Sequence, residues 1–181
     1  MGSLDVEIMR FVAAHRTAAL TAVAQAVEGA GDSAVVLVLL ALVAFGVVAV
    51  LRAWRVGAAA VLALVAATLA AQVLKRLVER PRPRAFALLP LDGWAMPSTH
   101  AARTAAVSLA VVAAATWSAS AARRRQVLVA ALVVANLLVG VFMVYLGAHW
   151  PTDVLAGWAL GAVVGFAVGR LLRGRSPAVV T

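Results

Sequence analysis

The chain has 181 residues, of which 65% are hydrophobic and 13% are charged, and it contains no cysteine. Soluble proteins carry about half apolar and about a quarter charged residues, so this composition excludes an ordinary soluble domain and indicates lipid as the solvent. Disulfides and thiolate metal sites are excluded as well. The length suits one membrane domain, residues 1–181.

The formal net charge of +9 raises nucleic acid as a possible partner. The basic residues, however, lie in short connectors between apolar runs rather than on one soluble face. We therefore expect the bilayer and an anionic, phosphorylated lipid as partners, and no nucleic acid.

The N-terminal segment mixes apolar and charged residues. Asp5, Glu7, Arg10 and Arg16 interrupt its apolar positions. This pattern is typical of a helix that lies in the membrane interface, so we predict an interfacial or short helix at Leu4–Glu28, within residues 1–30. A cleavable signal peptide is not expected, because acidic residues stand where such a peptide is basic.

Five longer runs are free of charge, and a membrane-spanning helix takes roughly 20 mostly apolar residues. They are Ser33–Leu51, Val56–Leu74, Thr104–Ala122, Gln126–Ala148 and Val154–Gly169, the last with its polar ends included. We predict an all-α integral membrane helical bundle, with five long spanning helices plus the N-terminal helix.

Five spans determine which connectors share a side of the membrane. Arg52–Arg55, Arg123–Arg125 and the C-terminal tail fall on one side, and all seven carboxylates fall on the other. Lys and Arg are evenly divided, so the positive-inside rule does not choose an orientation. We place the purely basic connectors in the cytoplasm, which puts the polar motifs below on the extracytoplasmic side of a multi-pass cell membrane protein.

The one long connector begins with a basic cluster, in which residues 75–84 read KRLVERPRPR. Basic side chains at a helix end also reach to lipid headgroups, and this structural explanation is by itself as good as a functional one. The functional interpretation is that the cations hold a phosphate dianion. An arginine would bind two oxygens through its planar fork, and a lysine would act as a point charge.

The same connector ends in Pro97-Ser98-Thr99-His100, where a helix is predicted to begin with Ser98 as its N-cap. A helix N-terminus presents unpaired N–H groups and the positive end of the helix dipole. The amides after Ser98 are therefore suited to phosphate oxygens. His100 in the first turn is placed to give a proton to a leaving oxygen.

A third polar motif, His149-Trp150-Pro151-Thr152-Asp153, begins the last predicted span. Asp153 can orient one imidazole nitrogen of His149 and leave the other free to attack phosphorus. His100, His149 and Asp153 are also possible zinc or iron ligands. We disfavour a metal, because the surrounding Arg and Lys residues would repel a divalent cation and attract phosphate.

These motifs resemble those of the type 2 phosphatidic acid phosphatase (PAP2) superfamily, in its membrane lipid phosphatase branch. Lys75 through Arg82-Pro83 matches the first family motif, Lys, six residues, Arg-Pro. The second motif, Pro-Ser-Gly-His, is matched with Thr99 in place of Gly. His149 and Asp153 match the second half of the third, which is Ser-Arg, five residues, His, three residues, Asp. The resemblance covers a motif-bearing phosphatase core at residues 75–161.

The resemblance implies a hydrolase of membrane lipid phosphates or diphosphates that needs no metal or organic cofactor and acts through a phosphohistidine intermediate. It implies His149 as the nucleophile, Asp153 as its orienting partner and His100 as the acid. It also implies that the substrate is bound by Lys75, Arg82, Ser98 and Thr99.

One position departs from the family pattern, because the Ser-Arg pair falls on Phe142 and Met143. Losing one charge-assisted donor from an oxyanion clamp costs on the order of 3 kcal/mol, or about 100-fold in rate. Arg103 is a candidate substitute one turn after His100, as are Arg76, Arg80 and Arg84. The alternative function is a catalytically weakened relative that binds, transfers or translocates a phosphorylated lipid.

Overall fold

The computed structural model describes residues 2–32, 53–90, 92–116 and 119–173, and helices are the regular elements throughout these ranges. The prediction of an all-α fold is therefore confirmed. The helices are α1 (Ser3–Ala14), α2 (Ala18–Asp32), α3 (Trp54–Val78), α4 (Thr99–Ala114), α5 (Ala122–Tyr145) and α6 (Pro151–Leu172), with short 3₁₀ helices at Arg84–Phe86 and Ala119–Ala121.

Among the described helices, α3, α5 and α6 are long and apolar enough to cross a membrane. Their 25, 24 and 22 residues correspond to roughly 33–38 Å at the rise of an α-helix, which exceeds the hydrocarbon core of a bilayer. Large apolar side chains, among them Leu69, Leu137 and Phe166, are exposed on these helices. Such exposure is expected where lipid is the solvent, and the chain is a membrane protein.

The predicted number of five spanning helices is not confirmed. The run Ser33–Leu51 lies outside the described residues. The run Thr104–Ala122 corresponds to α4, which starts earlier at Thr99 and ends at Ala114 after only 16 residues. The backbone is extended at Ala115, so the helix stops before the apolar run does.

The N-terminal segment forms two helices, and the prediction of one helix over Leu4–Glu28 is wrong in this respect. The chain breaks between α1 and α2, where the Arg16 guanidinium donates hydrogen bonds to the carbonyl oxygens of Tyr145 at 2.9 Å and Phe86 at 2.8 Å. The amide of Thr17 donates to the Tyr145 hydroxyl at 2.8 Å. These acceptors are distant in sequence from Arg16 and Thr17, so the local pattern of residues does not reveal the break between α1 and α2.

Small residues at every fourth position bring α3, α4 and α6 close together. A Cβ atom added at Gly161 in α6 would overlap the carbonyl oxygen of Ala102 in α4. The residues that form these rows are Gly157, Gly161, Gly165 and Gly169 in α6, Ala59, Ala63, Ala67 and Ala71 in α3, and Ala102, Ala106, Ala110 and Ala114 in α4. Close backbone approach of this kind is how helices associate in lipid, where apolar burial drives little.

Each row of small residues leads to a buried polar residue at the same end of the bundle. Lys75 follows Ala71 by four positions in α3, and Asp153 precedes Gly157 by four positions in α6. Ser98 stands four positions before Ala102 and is fully buried. The helix register that aligns the small residues therefore also brings these three polar residues together.

Candidate active site

A polar cavity of about 360 Å³ lies where the three rows end. Five of the predicted site residues line it, namely Lys75, Arg82, Thr99, His100 and His149. Arg76 and Arg103 add two cations, and Asp92 is the one carboxylate among the described lining residues. The excess of positive charge suits a multiply charged anion.

Lys75 and Arg82 are held by backbone carbonyls of the surrounding loops. The Lys75 ammonium donates to the carbonyl oxygens of Trp94 at 2.7 Å and Ala95 at 3.3 Å. Arg82 donates from Nε to the Asp92 carbonyl at 3.0 Å and from Nη1 to the Ala148 carbonyl at 2.8 Å. Both cations are thus oriented before any anion arrives, which reduces the entropy lost on binding.

Ser98 caps α4, as predicted, with its hydroxyl accepting from the Ala101 amide at 3.5 Å. Its own amide donates to the Asp153 carbonyl at 2.9 Å, so the starts of α4 and α6 are tied together. Ser98 is not among the residues that line the cavity, whereas Thr99 is. The structure therefore places Ser98 behind the wall of the cavity.

His149 is 3% exposed and has its two imidazole nitrogens in different surroundings. Nε2 lies 3.5 Å from Nη1 of Arg82, and Nδ1 lies 3.7 Å from Oδ2 of Asp153. Burial lowers the pKa of His149 to about 4, with Lys75 and Arg82 adding to the shift and Asp153 opposing it. The imidazole is therefore neutral at physiological pH and keeps a lone pair, as a nucleophile requires.

The Asp153 carboxylate is fully buried and accepts two hydrogen bonds besides its contact with His149. Oδ2 accepts from the Trp150 amide at 2.8 Å, which is the reach-back bond of a capping box at the start of α6. Oδ1 accepts from Arg80 at 2.6 Å. The distance of 3.7 Å to His149 exceeds that of a hydrogen bond, and catalytic contacts commonly shorten when substrate binds.

His100 has an unexpected neighbour at the end of α2. A Cβ atom added at Gly31 would overlap Nε2 and Cδ2 of the His100 imidazole. A Cβ added at Gly29, two residues earlier, would meet nothing within 4 Å. The absence of a side chain at Gly31 therefore permits the position of His100, and the sequence carries no motif that indicates this contact.

Met143, at the position of the missing family arginine, is fully buried in an apolar cluster with Ala101 and Val154. Of the candidate substitutes, Arg103 and Arg76 line the cavity, and Arg103 donates from Nε to the Thr68 hydroxyl at 3.0 Å. Arg80 and Arg84 are not lining residues, and Arg80 is engaged with two carboxylates. The geometry favours Arg103 and Arg76.

The chain and its fold are similar to known proteins. The model of the PAP2 superfamily matches residues 56–176. The structure is similar to that of a transmembrane PAP2-type phosphatidylglycerolphosphate phosphatase from Bacillus subtilis, with a TM-score of 0.79 and 28% sequence identity over 92% of this chain and 83% of that one.

The fold is also that of LpxE from Aquifex aeolicus, with a TM-score of 0.73 and 23% identity over 92% of this chain and 95% of that one. No curated protein matches the sequence at a significant level. Since the family model covers well over half of its residues, the chain belongs to the PAP2 superfamily.

Proposed function

We propose that this protein hydrolyses a membrane lipid phosphate or diphosphate through a phosphohistidine intermediate, without a metal ion. The observation that carries the proposal is the placement of a buried His149 at the wall of a cavity that also presents His100 and four cationic side chains. A nucleophile, a proton donor and an anion clamp are the parts that metal-free phosphoryl transfer needs.

In the first step Nε2 of His149 attacks phosphorus, and an N–P bond forms as the bond to the leaving oxygen breaks. His100 gives its proton to that oxygen, so the alcohol or phosphate departs neutralised. In the second step water attacks the phosphorus, His100 takes a proton from it, and inorganic phosphate leaves as the N–P bond breaks. Asp153 offsets the positive charge that the imidazole carries in between.

The proposed clamp consists of Lys75, Arg82 and Arg103 together with the first amides of α4, where Thr99 lines the cavity. Ser98 contributes from behind, by capping α4 and holding its N–H groups toward the cavity. This indirect role differs from the direct contact that the family resemblance implied.

The membrane arrangement that we propose is the one predicted from the sequence. We propose one domain over residues 1–181 with its phosphatase core at 75–161, five spanning helices, and a site on the extracytoplasmic side. Helix α1 lies in the interface, which its exposed Leu4 and Phe11 support. The Bacillus relative, named for a phospholipid phosphate, supports a lipid as the substrate.

The proposal is tested with purified protein in vesicles that contain one lipid phosphate or diphosphate at a time. We expect release of inorganic phosphate from at least one lipid, at the same rate with and without a chelator of divalent metals. Folding is checked by a cooperative thermal transition. A folded sample that releases no phosphate from any lipid, while still binding one, would support the alternative of a binding or transfer protein.

Arg103 is the residue that decides how far the buried Met143 weakens the enzyme. We expect Arg103→Ala to lower kcat/KM by about 100-fold, since it removes one charge-assisted donor from the clamp. Arg84→Ala, which removes an exposed arginine outside the cavity lining, is the matched control. Both values come from initial rates of phosphate release.

The complementary change is Met143→Arg. The rate of phosphate release by this variant is expected to stay at or below that of the wild type, because a guanidinium at position 143 must enter a fully buried apolar cluster. A rise of several-fold for this variant, or an Arg103→Ala rate equal to that of the control, would contradict the assignment of Arg103.

A further inference from the structure

A carboxylate from the N-terminal helix reaches the back of the active site. Asp5 in α1 is 3% exposed, and aspartate is buried this deeply only when it is paired. Its Oδ2 accepts hydrogen bonds from Arg80 at 2.6 Å and from the Thr152 hydroxyl at 2.7 Å, and its Oδ1 accepts from the Thr152 amide at 3.1 Å. Asp5 thus satisfies an open N–H group at the start of α6, from a different helix.

The charge state of Asp5 follows from these contacts. Burial raises the pKa of its carboxyl, but the hydrogen bonds from Thr152 and Arg80 outweigh burial and hold the pKa below the ordinary value. Asp5 is therefore an anion at neutral pH, and it neutralises a cation inside the protein.

Arg80 connects this anion to the catalytic pair. Its Nη2 bonds to Asp5, and its Nη1 donates to Oδ1 of Asp153 at 2.6 Å. The Arg80 guanidinium is shared by two buried carboxylates. The strength of its interaction with Asp153 therefore depends on the presence of Asp5. The other oxygen of Asp153 is the one that faces His149.

We propose that Asp5 is a positioning residue of the active site, which acts through Arg80 to hold the Asp153 carboxylate where it orients His149. Without Asp5, Arg80 would pair with Asp153 alone and would offset more of its negative charge. The imidazole would then lose part of the stabilisation that it needs when attack on phosphorus leaves it positively charged. The inference rests on the proposed phosphohistidine function.

The test is Asp5→Asn, which keeps the shape of the side chain and removes its charge. We expect kcat to fall by about tenfold or more while KM changes by less than about twofold, because Asp5 does not line the cavity that binds the substrate. Glu7→Gln is the matched control, since Glu7 is an exposed carboxylate on the same helix. Its kcat should equal that of the wild type.

A second variant separates positioning from the docking of α1. Met9 is fully buried on the same helix, in a cluster with Ala95 and Trp150, so Met9→Ala loosens the helix without changing a charge. Both variants are compared at a temperature where each is fully folded. If Met9→Ala lowers kcat as much as Asp5→Asn does, or if Asp5→Asn matches Glu7→Gln, the proposal is overturned.

A readout without any lipid keeps this test independent of the proposed function. Diethyl pyrocarbonate acylates neutral imidazoles, and mass spectrometry gives the rate at His149. We expect Asp5→Asn to slow this reaction several-fold, since a weaker interaction with Asp153 makes the imidazole less nucleophilic. An unchanged rate of acylation at His149 would contradict the positioning role of Asp5, whether or not the protein hydrolyses lipid phosphates.

Discussion

Replacing His149 with alanine is expected to lower phosphate release by on the order of 10³-fold or more, because the variant lacks the atom that forms the covalent intermediate. Mixing the wild type with a ³²P-labelled lipid phosphate and quenching in alkali should trap label on the protein. Phosphohistidine survives alkali and is lost in acid, which distinguishes it from phosphoserine.

The matched control for this experiment is His15→Ala, because His15 is exposed and lies outside the cavity lining. It should carry label like the wild type, and His149→Ala should carry none. Since burial holds the pKa of His149 to about 4, the label should also form at about pH 5.5, where a histidine of ordinary pKa is mostly protonated. Label that persists in His149→Ala would exclude His149 as the nucleophile.

The second large effect is expected for His100→Gln, and it should depend on the leaving group. A lipid alcohol is a poor leaving group and needs the proton of His100, so its release should slow by roughly 10²–10⁴-fold. The phenolate of p-nitrophenyl phosphate leaves without a proton, so in the first turnover, before water attacks the phosphohistidine, its release should slow by less than about tenfold. Equal losses with both substrates in the first turnover would show that His100 binds the substrate and does not act as the acid.

Gly31→Ala should reproduce this pattern more weakly, since the added methyl group overlaps the His100 imidazole and displaces it. Gly29→Ala is the control in the same helix, because its methyl group enters open space. A loss for Gly31→Ala that is the same with lipid and p-nitrophenyl substrates would mean that the change disturbs the fold near α2 rather than His100 alone.

Several features were predictable because short stretches of chain determine them. Charge-free apolar runs imply helices in a membrane, and α3, α5 and α6 have the required length and hydropathy. Ser98 caps α4 as its position before the helix predicts. Lys75, Arg82, His100 and His149 come from motifs that each stand at a helix end, and those ends meet in one cavity.

Other features depend on contacts between segments far apart in the chain. The break before α2 is held by carbonyls of Phe86 and Tyr145, which accept from Arg16.

The sequence by itself determined the helical membrane class and the candidate residues for binding phosphate, because hydropathy, helix caps and charge clusters are local properties. Only the tertiary structure decided which charges pair. Asp5, Arg80 and Asp153 lie in three separate segments. In the sequence Arg80 is one more member of a basic cluster, and only folding places it between two buried carboxylates. Burial is what makes such pairing necessary, since an ion taken out of water must find a partner, and burial is a property of the packed helices rather than of any one of them.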